Sequence, residues 1–143
     1  MHIYGEVDEL NSNLGMSHSL MKFHNVALDE LEFIEDIQAR LFDLGSNLAC
    51  EPENVKKYKL PQILDNTVLG LEEKIDELDS ELPALKNFIL PGGHPIASTF
   101  HIARTICRRI ERNLVSFEEE NPNQLPNNAM IFINRLSDYL FVM

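Results

Sequence analysis

Four of the six arginines of this chain lie within nine residues, in the run Arg104-Thr-Ile-Cys-Arg108-Arg109-Ile-Glu-Arg112. Guanidinium keeps its charge near neutral pH and presents paired planar donors that match phosphate oxygens. On a helix Arg104, Arg108 and Arg112 are successive i,i+4 neighbours, and like charges along such a stripe repel by roughly a few tenths of a kcal/mol per pair. Two readings compete: the stripe holds a multiply charged anion such as a polyphosphate, or it is a solvated or inter-subunit face whose arginines pair with carboxylates. Glu111 is the one acidic residue inside the run, so pairing within the run cannot neutralise it.

The elements that must position this run read as helices. Val7, Leu10 and Leu14 mark a first helix from near Tyr4 to about Met21, and Ile34, Ile37, Leu41, Leu44 and Leu48 a second from about Val26 to Cys50. The polar stretch Glu51 to Lys59, with Pro52, reads as a loop. A third helix is expected to start with Pro61 in its first turn and to bury Leu64, Val68, Leu71, Ile75 and Leu78, ending where Pro83 opens a connection. That connection closes on Pro91-Gly-Gly-His-Pro95, and its Phe88-Ile-Leu90 could be extended. Ile96, Phe100, Ala103, Cys107, Ile110, Leu114 and Phe117 then alternate four-three, the seam of a bundle helix with the arginines on its flanks. A fifth helix from about Asn127 carries Ala129, Ile133, Leu136 and Leu140 on one side. The fold class is therefore all-α, a five-helix up-and-down bundle of the ferritin-like kind.

Composition narrows the chemistry. With 143 residues, 44% hydrophobic and 24% charged, the chain suits one globular domain. A formal charge of −11 disfavours broad nucleic-acid binding, which draws on basic groups spread over a surface. No run of about 18 apolar residues occurs, no secretory signal opens the chain, and a cytoplasmic protein is expected. Cys50 and Cys107 lack the spacing and companions of a zinc site. A di-iron centre requires Glu-x-x-His pairs, and the sequence contains none, so no metal site is assigned.

Four segments in order, Tyr4-Gly-Glu-Val-Asp-Glu-Leu-Asn-Ser12, Phe88-Ile-Leu-Pro-Gly-Gly93, His101-Ile-Ala-Arg-Thr-Ile-Cys-Arg-Arg-Ile-Glu-Arg112 and Asn134-Arg-Leu-Ser-Asp-Tyr-Leu-Phe141, span nearly the whole chain. Together they resemble the PduO-type ATP:cob(I)alamin (corrinoid) adenosyltransferases. The resemblance implies transfer of the 5′-deoxyadenosyl group of ATP to cob(I)alamin, with release of triphosphate, by a homotrimer whose active sites lie between subunits. It also implies Mg2+ with the nucleotide and a corrinoid reductase as a possible partner. Cob(I)alamin is itself the nucleophile, so the protein's tasks are orientation, leaving-group stabilisation and control of cobalt ligation.

Carried over residue by residue, the resemblance puts Arg108, Arg109, Glu111 and Arg112 on the nucleotide-binding helix and Asn134 at the matching position of the last helix. Arg108 is the first candidate for catalysis. Asp8 and Arg104 match a pair proposed to join neighbouring subunits beside the corrinoid. Phe88 and Phe141 match apolar residues beneath the corrin, where the lower axial ligand leaves. On composition alone such phenylalanines are more often plain core residues, and Asn134 fits a surface or capping amide as well.

The family's glycine-rich Thr-x-x-Gly-Asp-x-Gly segment, whose amides wrap phosphates, does not occur in this sequence, which begins Met1-His-Ile-Tyr. Either the sequence is the core of a longer protein that carries this segment, or half of the nucleotide site is missing, in which case much weaker ATP binding is expected. A reading from another class is a non-catalytic bundle that uses the arginines and Asp8 for oligomerisation, or that holds and delivers a corrinoid.

Overall fold

The computed structural model describes residues 3–49, 62–85, 95–126 and 128–142. Among them are helices α1 (Ile3–His24), α2 (Leu31–Ala49), α3 (Asp65–Leu85), α4 (Pro95–Glu120) and α5 (Ala129–Val142), with one 3-10 turn at Leu28–Glu30. Helix α1 packs on α2 and α4, α4 on α5, and α5 on α3. The spatial order is thus α2, α1, α4, α5, α3, the helical bundle expected from the heptad-like spacing.

Each helix turns its apolar stripe inward. Leu10, Leu14, Ile34, Leu41, Leu44, Ile110, Leu114, Ile133 and Leu136 are all fully buried. Burying each such side chain is worth about 1.5–3 kcal/mol, so the stripes hold the bundle together. The α4 seam buries Ile96, Phe100, Ala103, Cys107, Ile110 and Leu114 as the spacing requires, and Phe117 packs half-buried against it. Thr99 and Ile106 are buried as well, because α4 is gripped by α1 on one side and α5 on the other.

Helix α1 runs a turn beyond the expected Met21. Asn25 adopts a left-handed conformation (φ 59°), the Val26 amide bonds the Met21 carbonyl (3.0 Å), and the Asn25 amide bonds that of Lys22 (3.4 Å). This is a Schellman closure with asparagine in the usual glycine place, and it satisfies the carbonyls the helix end leaves over. Ala27 is also left-handed (φ 49°) and is followed by the 3-10 turn, which delays α2 from Val26 to Leu31.

Two further expectations are corrected. Helix α3 begins at Asp65, not Pro61, and Leu64 is 59% exposed while its neighbour Ile63 is buried. The chain over 62–64 is not helical, so the inward position shifts by one residue; Asn128 fixes that approach by donating to the Ile63 carbonyl and to Asp65, both at 2.9 Å. An acidic residue in the first turn also suits the helix dipole. At its other end α3 continues past Pro83 to Leu85, because a proline in the last turn forfeits one backbone bond rather than interrupting a longer run. Helix α5 starts at Ala129, after Asn128 (φ 66°). The expected loop 51–59, Cys50, Pro61, the segment 86–94 with Phe88, and Asn127 lie outside the described residues.

Candidate functional site

The outer face of α4 carries the arginine run, and its members meet different fates. Arg109 is held by α1: its Nε donates to Glu6 Oε2 (2.6 Å) and its Nη2 to Glu9. The other Glu6 oxygen accepts from Asn113 Nδ2 at 2.5 Å, so α1 and α4 are tied by one cluster. These carboxylates lie about a hundred residues upstream, which is how the structure neutralises an arginine the run itself could not.

Arg108 and Arg112 are exposed and make no ion pair or hydrogen bond with a described residue. They are one helical turn apart, about 6 Å of rise, and point their charge into solvent unopposed. Arg104 is half-buried at the same face; its Nη2 is 3.3 Å from His101 Nδ1, and its guanidinium lies 5.8 Å from the Phe141 ring centroid. That is a cation–π distance, and it joins the α4 stripe to the end of α5. Phe141 is 71% exposed, an apolar ring presented outward rather than used in this chain's core. Asp8 is exposed on α1 and does not pair with Arg104 within the chain.

Glu111 sits between the two free arginines in sequence, yet its partner is on α5. Asn134 Nδ2 donates to Glu111 Oε2 at 2.6 Å. The Asn134 Oδ1 in turn accepts from Arg135 Nε (3.2 Å) and Nη2 (2.5 Å), and Arg135 Nη2 pairs with Asp138 at 2.9 Å. Thus Arg104 meets Phe141, and Glu111 meets Asn134, by direct contact across α4 and α5, and Arg108 and Arg112 share α4. Phe88 lies outside the described residues.

Sequence reasoning missed Glu6, Glu9, Asn113, Arg135 and Asp138. Glu6 and Glu9, three residues apart on the first helix, were the available signal for a second charged stripe facing α4. Arg135 stands beside Asn134, but adjacency on a helix says nothing of a side chain folding back onto its neighbour.

Cys107, the remaining polar oddity on α4, is core: its Sγ contacts the Ile133 carbonyl at 3.4 Å, and burial pushes its thiol far above the ordinary range. Among the described residues no group of three or more His, Cys, Asp or Glu side chains is placed to hold a metal, and no helix is long and apolar enough to cross a membrane.

What the arrangement offers is two unpaired guanidinium groups, a carboxylate turned aside from them, and an exposed ring beside a third arginine. The description of a cobalamin adenosyltransferase family matches residues 1–143. The corrinoid adenosyltransferase of Bacillus subtilis is 41% identical over 138 residues, which cover 96% of this chain and 68% of that protein. Corrinoid adenosyltransferase MMAB of Homo sapiens is 38% identical over 97% of this chain; the chain spans 55% of the length of that relative. Among solved structures, a phenylalanine-to-alanine variant of the PduO-type ATP:corrinoid adenosyltransferase from Lactobacillus reuteri, complexed with cobalamin and ATP, aligns with a TM-score of 0.80 and 42% identity, covering 98% of this chain and 75% of that one. An arginine-to-lysine variant complexed with ATP aligns equally well, with a TM-score of 0.80, 41% identity and the same coverage.

Proposed function

This chain belongs to the cobalamin adenosyltransferase family, and from that membership we propose that it transfers the 5′-deoxyadenosyl group of ATP to cob(I)alamin, yielding adenosylcobalamin and triphosphate. The cobalt(I) electron pair forms the bond to C5′ as the C5′–O bond to the triphosphate breaks, so charge grows on the leaving group. Arg108 and Arg112 are the groups suited to meet it, because they are fixed on a packed helix and no described carboxylate neutralises them. That pair of unopposed cations is the observation that carries the proposal. Arg109 completes the site by locking α4 against α1 rather than by offering free donors, since Glu6 and Glu9 occupy it. Asn134 and Glu111 close the nucleotide side from α5 and α4.

The corrinoid side is assigned to Phe141, with Phe88 in the same role. Hydrocarbon under the ring excludes a lower axial ligand and water, which favours the reduced, reactive cobalt. The protein works as a cytoplasmic homotrimer with each site between two subunits. The exposed Asp8 of one protomer meets Arg104 of its neighbour, and the outward-facing Phe141 is covered there. A corrinoid reductase supplies cob(I)alamin. Mg2+ would accompany ATP, held largely through phosphate oxygens and water.

The test is spectroscopic. Anaerobic cob(I)alamin with ATP is expected to convert to adenosylcobalamin, and Arg108→Ala to abolish most of that conversion. Binding of both compounds without conversion would make the protein a corrinoid-delivery module instead.

A further inference from the structure

Glu111 should by default neutralise the site it belongs to. It lies three residues after Arg108 and directly before Arg112, and i,i+3 spacing brings opposite charges within pairing distance on a helix. It pairs with neither. Its carboxylate is instead drawn to α5 by Asn134 Nδ2 at 2.6 Å. An asparagine amide can rotate to present either atom, so what matters is which way it is fixed. Here the far side of the amide settles it: Arg135 directs Nε and Nη2 at Oδ1 (3.2 and 2.5 Å), and Asp138 Oδ2 anchors the same Nη2 at 2.9 Å. Turning the amide over would set NH2 against a guanidinium and a carbonyl oxygen against a carboxylate, two repulsive contacts in place of three charge-assisted hydrogen bonds. The row Asp138, Arg135, Asn134, Glu111 therefore has one stable polarity.

We propose that Arg135 is a positioning residue of the nucleotide site: by fixing the Asn134 amide it holds Glu111 against α5 and leaves the Arg108 and Arg112 guanidinium groups open to an incoming triphosphate. The inference rests on the reading of α4 as the triphosphate-binding face. Arg135 itself need not touch the nucleotide. Without it only the Glu111 contact orients the amide, Glu111 is more readily released to the neighbouring arginines, and ATP must then displace an internal carboxylate before it binds.

The experiment measures steady-state adenosylation by the full chain, together with thermal melting. Arg135→Gln is expected to raise the KM for ATP about tenfold, the scale of one charge-assisted hydrogen bond lost. At saturating ATP, kcat and the KM for cob(I)alamin should stay within about twofold of the parent values, a split that general loosening of the fold would not produce. Asp138→Asn, an exposed change that removes only the anchor, should act the same way with about a threefold effect. Arg135→Lys should recover part of the loss. In a Glu111→Gln background the Arg135→Gln effect should shrink, because a neutral side chain cannot cancel the arginines. Parent-like ATP dependence in both Arg135→Gln and Asp138→Asn, equal damage to both substrates, or strict additivity with Glu111→Gln would overturn the proposal. Arg108→Ala separates the two levels. If it weakens ATP use while Arg135→Gln does not, only the positioning role falls; if it too leaves ATP use unchanged, the triphosphate reading falls with it.

Discussion

Charged side chains at the α2–α3 side of the bundle and on the outer face of α4 obey opposite rules. Glu30, 5% exposed at the end of the 3-10 turn, uses both oxygens: one accepts the Tyr139 hydroxyl at 3.1 Å, the other the Lys74 ammonium at 2.9 Å. Lys74 also lies 5.3 Å over the Phe33 ring, which packs 5.1 Å from the Tyr139 ring. One cluster thus ties the turn before α2 to α2, α3 and α5, with its charges matched inside the fold. On α4, Arg108 and Arg112 stand unmatched. Charge satisfied internally fixes structure, and charge left unsatisfied on a rigid element is available to a ligand, so a mutation should reveal which kind it has struck by whether stability or turnover falls.

The largest expected effect is on the matched side. Glu30→Ala leaves a largely buried ammonium with only the Glu77 carboxylate at 3.8 Å and takes the partner from a buried hydroxyl, and should cost about 3 kcal/mol in chemical denaturation. Turnover per folded molecule should hold. Arg108→Ala should do the reverse, lowering kcat/KM for ATP on the order of a hundredfold, roughly 2.7 kcal/mol, with an unchanged melting temperature. A stability loss of similar size in Arg108→Ala would erase the distinction between the two faces.

Alkaline pH sharpens the contrast more gently. Burial first, then Glu30, raises the Tyr139 hydroxyl above its ordinary range, and the Glu30 bond raises Lys74 above its own. Both groups keep their protons longer in the fold than in the unfolded chain. Their contribution is therefore complete below about pH 10, where an unfolded tyrosine begins to ionise. It falls as pH rises further, by up to about 1.4 kcal/mol per unit for each group. Melting followed from pH 8 to 11 should show this descent, and Tyr139→Phe should flatten it. The smallest effect belongs to Arg109→Gln, whose ion pairs with Glu6 and Glu9 lie near solvent: a slight loss of stability at low salt that disappears at high salt. A deficit that persists in high salt would show that the Arg109 pairs are shielded from solvent as the Glu30 cluster is.

How far these faces could be read from residues alone follows the range of the interaction. The α4 seam is periodic, and periodicity is local, so Ile96 through Leu114 were legible as core and the helix around them as a bundle helix. The start of α3 was not, because Leu64 fits the stripe by spacing and is turned out by a tether from Asn128, far along the chain. The α1 extension hides in the left-handed tolerance of Asn25, a property of one residue that no apolar pattern records. At the site, the arginine run declared itself by composition. Arg109's capture by Glu6 and Glu9 did not, since it joins residues 103 and 100 positions apart. Nor did the Arg135 relay, which depends on side-chain direction within one turn of α5.

Helix α4 carries both the buried seam and the arginines on one continuous 26-residue rod. It is in effect a ruler whose marks, Arg104, Arg108 and Arg112, fall at one-turn intervals of about 6 Å. Adding or deleting a single residue between the first mark and the last would swing everything beyond it by about 100°, turning later apolar side chains out of the interior and later guanidinium groups away from their common line. Substitutions can tune this segment one position at a time, but its length is frozen: across descendants of this sequence, insertions and deletions should accumulate in the connections and never between Arg104 and Arg112.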